Sequence, residues 1–219
     1  MSSYLRDSLK DSLAHSAGNL LLGLCVLFAC GLVSLPVAAI SRQVSLSEMA
    51  TGAGRVVYGR IVEVRSGTHP DYSHIAVTFV TLDVIEMIKG SAAQRLTFMQ
   101  FAGAQGRGRN FHLPGYATGE EVMLFLYPES RYGFTSPVGE GQGKFAINND
   151  PRTGRRSLIP ARGNRQLFEP IRTEKAMSRF RLTSAERELV ARENGVADLD
   201  TFRSLVRKLV AGGSTTGTN

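Results

Sequence analysis

Tryptophan is missing from the 219 residues, and cysteine occurs only twice, at Cys25 and Cys30. Both cysteines fall inside an uncharged apolar run, so the rest of the chain carries no thiol. A disulfide framework, a cysteine nucleophile and a thiolate metal site are therefore excluded from everything after residue 30. Aromatic residues make up only 8% of the chain and are all Phe or Tyr, which suit strands. Long apolar runs are scarce as well, residues 20–33 being the exception. Acidic groups are outnumbered, 19 against 26 Lys and Arg, for a formal charge of +7.

What is present is ordinary for a globular chain: 42% hydrophobic and 21% charged residues argue against wholesale disorder. Twenty-three glycines exceed the usual share of about 7% and lean towards a turn-rich β fold. The basic excess is local. Arg152, Arg155, Arg156, Arg162 and Arg165 follow one another with no acid between them, whereas Arg6 and Lys10 are cancelled by Asp7 and Asp11.

The run LLLGLCVLFACGLV at residues 20–33 is preceded by a polar stretch and followed by Pro36 and Val37-Ala38-Ala39. Small residues at −3 and −1 suit a signal peptidase cutting after Ala39. Two other readings stay open. Residues 16–41 are uncharged for long enough to remain as an inner-membrane anchor. Leu27-Phe28-Ala29 before Cys30 gives a lipoprotein reading, with a bulky Phe where a small residue is expected. All three export the remainder to a periplasmic or extracellular location.

Residues 55–65, 75–89, 95–101, 121–127, 132–138, 144–148 and 155–159 read as strands. The apolar phase shifts after Phe79 towards Leu82 and Val84, which predicts a bulge or sharp bend. The run EVMLFLY is too short for a typical helix and reads as a central strand buried on both faces. Turn formers at residues 149–154 predict a hairpin. Thr183 with Glu186 is a capping box opening a helix to about Glu193, and Asp198 or Asp200 caps a second helix to about Ala211. The expectation is a mainly β fold, a small closed or partly open barrel, with an N-terminal signal or anchor helix and one or two C-terminal helices. Its divisions are 1–39 (signal or anchor), 44–168 (β domain) and 169–219 (helical extension with a flexible tail).

The succession Val56-Val57-Tyr58-Gly59-Arg60-Ile61-Val62, then Leu82–Glu86 through Lys89-Gly90, then Gly119–Leu126, then Gly141–Phe145 resembles a group of uncharacterised exported bacterial proteins. Their domain is similar to the netrin-like, tissue-inhibitor-of-metalloproteinase-like OB barrel. The likeness covers about residues 50–160 and rests on pattern, with no catalytic signature. It implies an OB-like barrel and makes regulation of a secreted metalloprotease an attractive function. In those inhibitors an N-terminal Cys offers its amine to the catalytic zinc. Here the expected mature start is Ile40-Ser41-Arg42 and the domain has no Cys, so that mechanism does not carry over.

Local chemistry is thin. The segment Gly139–Phe145 superficially resembles a phosphate loop, but Val138 and Phe145 stand where Gly and Ser/Thr are required. Gly103, Gly106 and Gly108 with Arg107 and Arg109 could form an anion-binding loop; the competing reading is a solvated loop. His69, Asp71 and His74 are candidate metal ligands, with His112 elsewhere, yet they lack the helical i, i+4 spacing of a zinc protease. No Ser has a G-x-S-x-G elbow. No cofactor is expected. The Arg152–Arg165 cluster is either a solvated surface or a site for an acidic protein, an anionic envelope polymer or lipid headgroups. The membrane itself is a partner through the N-terminal segment if that segment stays uncleaved. Nucleic acid is disfavoured, because export removes the protein from most of it and no stacking aromatics interleave the cluster. The leading expectation is thus a non-catalytic binding module. The alternatives are a regulator of a secreted protease and a hydrolase assembled in the fold from His69, Asp71 and His112.

Overall fold

Alternating β-branched and aromatic residues hold much of the chain extended, and seven strands result. The computed structural model describes residues 42–102, 114–158 and 164–214. Its strands are β1 (Arg55–Thr68), β2 (Ala76–Lys89), β3 (Arg95–Phe101), β4 (Glu121–Leu126), β5 (Lys144–Asn149), β6 (Arg156–Leu158) and β7 (Ala197–Asp198). They form one antiparallel sheet in the order β3-β2-β1-β4-β5-β6-β7, with β3 and β7 at its edges. The mainly β expectation holds, and the sheet is open. On the outer side of β3, among the described residues, the ladder continues only as an isolated parallel bridge between Met99 and Phe134.

Among the described residues five helices accompany the sheet: α1 (Leu46–Gly52), α2 (Asn164–Phe168), α3 (Glu174–Arg179), α4 (Ser184–Ala191) and α5 (Leu199–Ser214), with a 3-10 turn at Glu169–Ile171. The Thr183–Glu186 capping box is formed in both directions. Asp198 is the residue that opens α5, its carboxylate accepting from the Thr201 amide at 3.0 Å. A second capping box, Ser45 with Glu48, starts α1, a helix the strand-by-strand reading missed. None of the helices in the described residues is long and apolar enough to cross a membrane. The expected signal or anchor at 1–39 lies outside the described residues.

The β1–β2 pairing slips three times, between Val56 and Val57, Tyr58 and Gly59, and Ile61 and Glu63. Each slip adds an unpaired residue and increases the local twist. Gly59 sits at the second slip, where an added Cβ would lie 2.4 Å from the Asp83 carbonyl oxygen. The Gly59→Ala variant is therefore expected to lose about 1–3 kcal/mol from this forced contact, read as a lower denaturation midpoint. An unchanged midpoint would mean that the strands part without cost.

Twisting matters because the sheet buries both faces. On one side Val57, Ile61, Val80, Leu82, Leu96, Phe98, Val122, Leu124 and Leu126 form a cluster to which no helix contributes. Among the described residues it is covered by the strands themselves and by Tyr116 from the loop before β4. On the other side Val56, Tyr58, Met123, Phe125, Phe145 and Leu158 pack against α1 and the C-terminal helices. β4 supplies alternate residues to each cluster, as its unbroken apolar run predicts.

The C-terminal helices pack on the sheet: Phe202, Leu205, Val206 and Leu209 belong to the same core, and Ser41–Asn219 is one compact unit. One expectation is corrected here. Residues 132–138 are not a strand. Gly133 takes a φ of +75°, the Ser130 hydroxyl accepts from the Tyr132 and Phe134 amides, and Pro137 has no N–H to donate.

Candidate functional site

Three chain segments meet at one end of the sheet: the β1–β2 connection, the end of β3 and the turn after β4. They bring together the rings of His69, Tyr72, His74, Phe101, Tyr132 and Phe134. Phe101 stacks on Phe134 with centroids 4.1 Å apart, and Tyr72 meets Tyr132 edge-on at 5.8 Å. The Arg131 guanidinium lies 4.6 Å from the Tyr132 ring centre. Unlike the core aromatics, three of these rings face solvent: Tyr72 is 38% exposed, Phe101 48% and Tyr132 42%. A cluster of half-exposed rings beside an arginine has the composition of an interface core.

His69 holds this platform in place. It is buried, and its Nε2 donates to the Tyr132 carbonyl at 2.8 Å while its Nδ1 accepts from the Asp71 amide at 3.1 Å. Its backbone amide also donates to the Ile75 carbonyl at 2.9 Å, closing the loop. With both ring nitrogens spent on the backbone, His69 keeps no lone pair for a metal. Asp71 and His74 stay exposed on the same loop, and the described residues contain no group of three potential metal ligands. His112, the third member of the hydrolase reading, lies outside the described residues.

The arginine cluster divides. Arg152 and Arg155 are exposed on the β5–β6 hairpin, without an ion-pair partner within 4 Å among the described residues. Arg156 is committed to the fold, its Nη1 donating to the Tyr58 hydroxyl at 2.8 Å and reaching Glu121 at 3.3 Å. Tyr58 is fully buried and donates to the Glu121 carboxylate. Burial, then the hydrogen bond and charge of Glu121, push its phenol up to about 12. The Arg203 guanidinium packs 5.1 Å from the Tyr58 ring centre and pairs with Glu86 at 2.6 Å, so this network ties β1, β2, β4, β6 and α5 together. Arg107, Arg109 and Arg162 lie outside the described residues, as does the side chain of Arg165.

Lys144, in the glycine-rich run, is likewise structural. Its ammonium donates to the Gly115 carbonyl at 2.6 Å, pairs with Glu120 at 2.7 Å and lies 4.7 Å from the Tyr116 ring centre. A Cβ on Gly143 would lie 2.9 Å from the Phe125 carbonyl oxygen, which is why the connection needs glycine there.

A cleft of about 540 Å³ opens between the β5–β6 hairpin, α4 and the start of α5, and Arg155 lines it. Arg192 also lines it, but so do Asp150, Glu188 and Asp198, which leaves the lining without a positive excess. Those acids are already engaged: Asp150 with the Arg152 amide at 2.9 Å, Glu188 with Arg192 at 2.5 Å, and Asp198 at the start of α5. The cleft does not read as an anion site.

Fold and surface together define a mainly β domain with a loop-borne aromatic face held by the hydrogen bonds of His69. No family model, curated protein or solved structure matches the chain.

The platform escaped sequence reading because its rings are scattered from residue 69 to residue 134 with no shared spacing. The available signal was the recurrence of Tyr, Phe and His near strand ends.

Proposed function

We propose that this chain is an exported, non-catalytic binding module that takes its partner, a protein or an anionic envelope polymer, on the aromatic platform. The observation carrying this is the exposure of Tyr72, Phe101 and Tyr132 on loops pinned by a buried histidine. Exposed rings cost hydration, and pinned rings lose little entropy on binding, so such a face favours association. In the same reading, the coiled strands β1 to β5 form a partly open OB-like barrel. Its closing contact would be the Met99–Phe134 bridge, and the platform would occupy the loop positions at which OB barrels bind ligands. Arg131 on the platform, with Arg152 and Arg155 elsewhere, suits a partner carrying negative charge.

The test is binding of the full chain to fractionated envelope protein and envelope polymer. The Tyr72→Ala/Tyr132→Ala variant is expected to weaken the interaction by about 30-fold, as loss of interface hot spots does. Arg152→Ala/Arg155→Ala should change mainly its salt dependence. If the arginine pair abolishes binding and the tyrosine pair does nothing, the platform is not the site. Export has its own check: an intact-mass measurement of native protein should place the N-terminus at Ile40.

A further inference from the structure

A second surface shares no residue with the platform. Between α1, α3, the 3-10 turn and the C-terminal end of α5 runs a groove of about 400 Å³, within the range of small-ligand sites, about 300–1,000 Å³. Its walls are apolar, supplied by Ile171, Ala176, Phe180 and Leu209. Its charged lining is of one sign: Lys175 and Arg179, with no Asp or Glu. These two cations stand four residues apart on α3, hence on one face, where they repel each other. Both are exposed, and neither has a carboxylate within 4 Å among the described residues. Of the acids flanking it, Glu174 pairs with Arg187 at 3.0 Å and Glu48 with Arg42. The hydroxyl of Ser47, also in the lining, is buried without a hydrogen-bond partner among the described residues.

An apolar trough, an unfilled hydroxyl and two unpaired cations on one helical face specify an occupant with a hydrocarbon body and a negative head. We propose that the groove binds a single-chain anionic amphiphile, such as a medium- or long-chain fatty acid carboxylate. The acyl chain lies along Ile171, Phe180 and Leu209, and the carboxylate sits between the Lys175 ammonium and the Arg179 guanidinium. The bound anion removes the repulsion within α3, and each methylene withdrawn from water strengthens binding by about fourfold until the trough is full.

Isothermal titration of the full chain with monomeric dodecanoate, and with dodecyl maltoside as its uncharged counterpart, tests this. Lys175→Ala/Arg179→Ala, two exposed substitutions that leave the core untouched, should weaken dodecanoate about tenfold and leave the maltoside unchanged. Arg179→Lys should keep most of the affinity. Ala176→Trp, which fills the trough, should remove the variant-sensitive binding of both, with a thermal melt to show that it folds. Dodecanoate binding that none of these variants moves would place the amphiphile on the apolar residues 20–33 and overturn the proposal. So would the absence of binding, or attachment to anionic phospholipid vesicles through Lys175 and Arg179 without binding of monomeric dodecanoate.

Discussion

Replacing Glu186 by alanine is expected to lower the stability of the protein by about 3 kcal/mol, the scale for removing one partner of a buried ion pair. Glu186 is only 1% exposed, although carboxylates are rarely buried. It accepts from the Thr183 amide at 2.7 Å, closing the capping box of α4, and from the Ser204 hydroxyl at 2.8 Å on α5. The Lys208 ammonium reaches it at 2.5 Å, also from α5. One side chain thus caps one helix and fastens it to the next. Burial pushes this carboxyl up, but Lys208, the Thr183 amide and the Ser204 hydroxyl outweigh it and hold the group below the usual carboxylate range.

A carboxyl with a depressed folded pKa contributes stability that is complete above its unfolded value, about 4.3, and drains away as pH falls through the folded value. Glu186→Gln, which keeps the shape and loses the charge, should therefore show a shallower loss of stability below about pH 4.3 than the parent. Denaturant midpoints measured across that range decide the point. Identical slopes for parent and variant would mean that the ion pair contributes nothing.

The second large effect concerns Phe202. Its ring is fully buried, 5.2 Å from Phe145 on the sheet and 6.5 Å from Phe168 on α2. Truncation to alanine empties a volume enclosed by strand and helix residues that cannot collapse without separating α5 from the sheet. The expected cost is about 3–5 kcal/mol. If α5 were an appendage, the loss would be far smaller, and near-UV signals from the tyrosines of the sheet would persist after α5 melts. A single cooperative transition in the variant, at a lower midpoint, is the expected result.

Much of the fold was legible. β3 falls at the residues its alternation marks, and the strand expected at 121–127 is found at Glu121–Leu126, central and buried on both faces because its apolar run is unbroken. The Thr183–Glu186 and Asp198 helix starts are visible because capping is a local reaction between neighbours in the chain. The Ser45–Glu48 box is just as local, but it lies close before the first strand, in a stretch too short to show a helical apolar stripe. Residues 132–138 misled because Phe134, Pro137 and Val138 carry strand-like apolarity, whereas Gly133 and the Ser130 hydroxyl decide the backbone.

The site was less legible. Arg156 looked like its neighbours Arg152 and Arg155 in composition, and only the position of Tyr58 and Glu121 across the sheet turns it into a structural cation. His69 read as a possible ligand because spacing cannot reveal that a carbonyl 63 residues further on will accept a hydrogen bond from its ring.

The amino-acid sequence by itself determined where the chain extends, where its helices begin, that nothing after Cys30 can use thiol chemistry, and that positive charge gathers between Arg152 and Arg165. These are properties of residue type and short-range spacing, which act over a few bonds. The tertiary structure alone decided which strands are neighbours, which arginines remain exposed, which histidine is a clamp, and that rings from three distant segments share one face. Such outcomes depend on burial and on pairing between groups far apart in the chain, and these arise only when the sheet assembles and its two faces are covered.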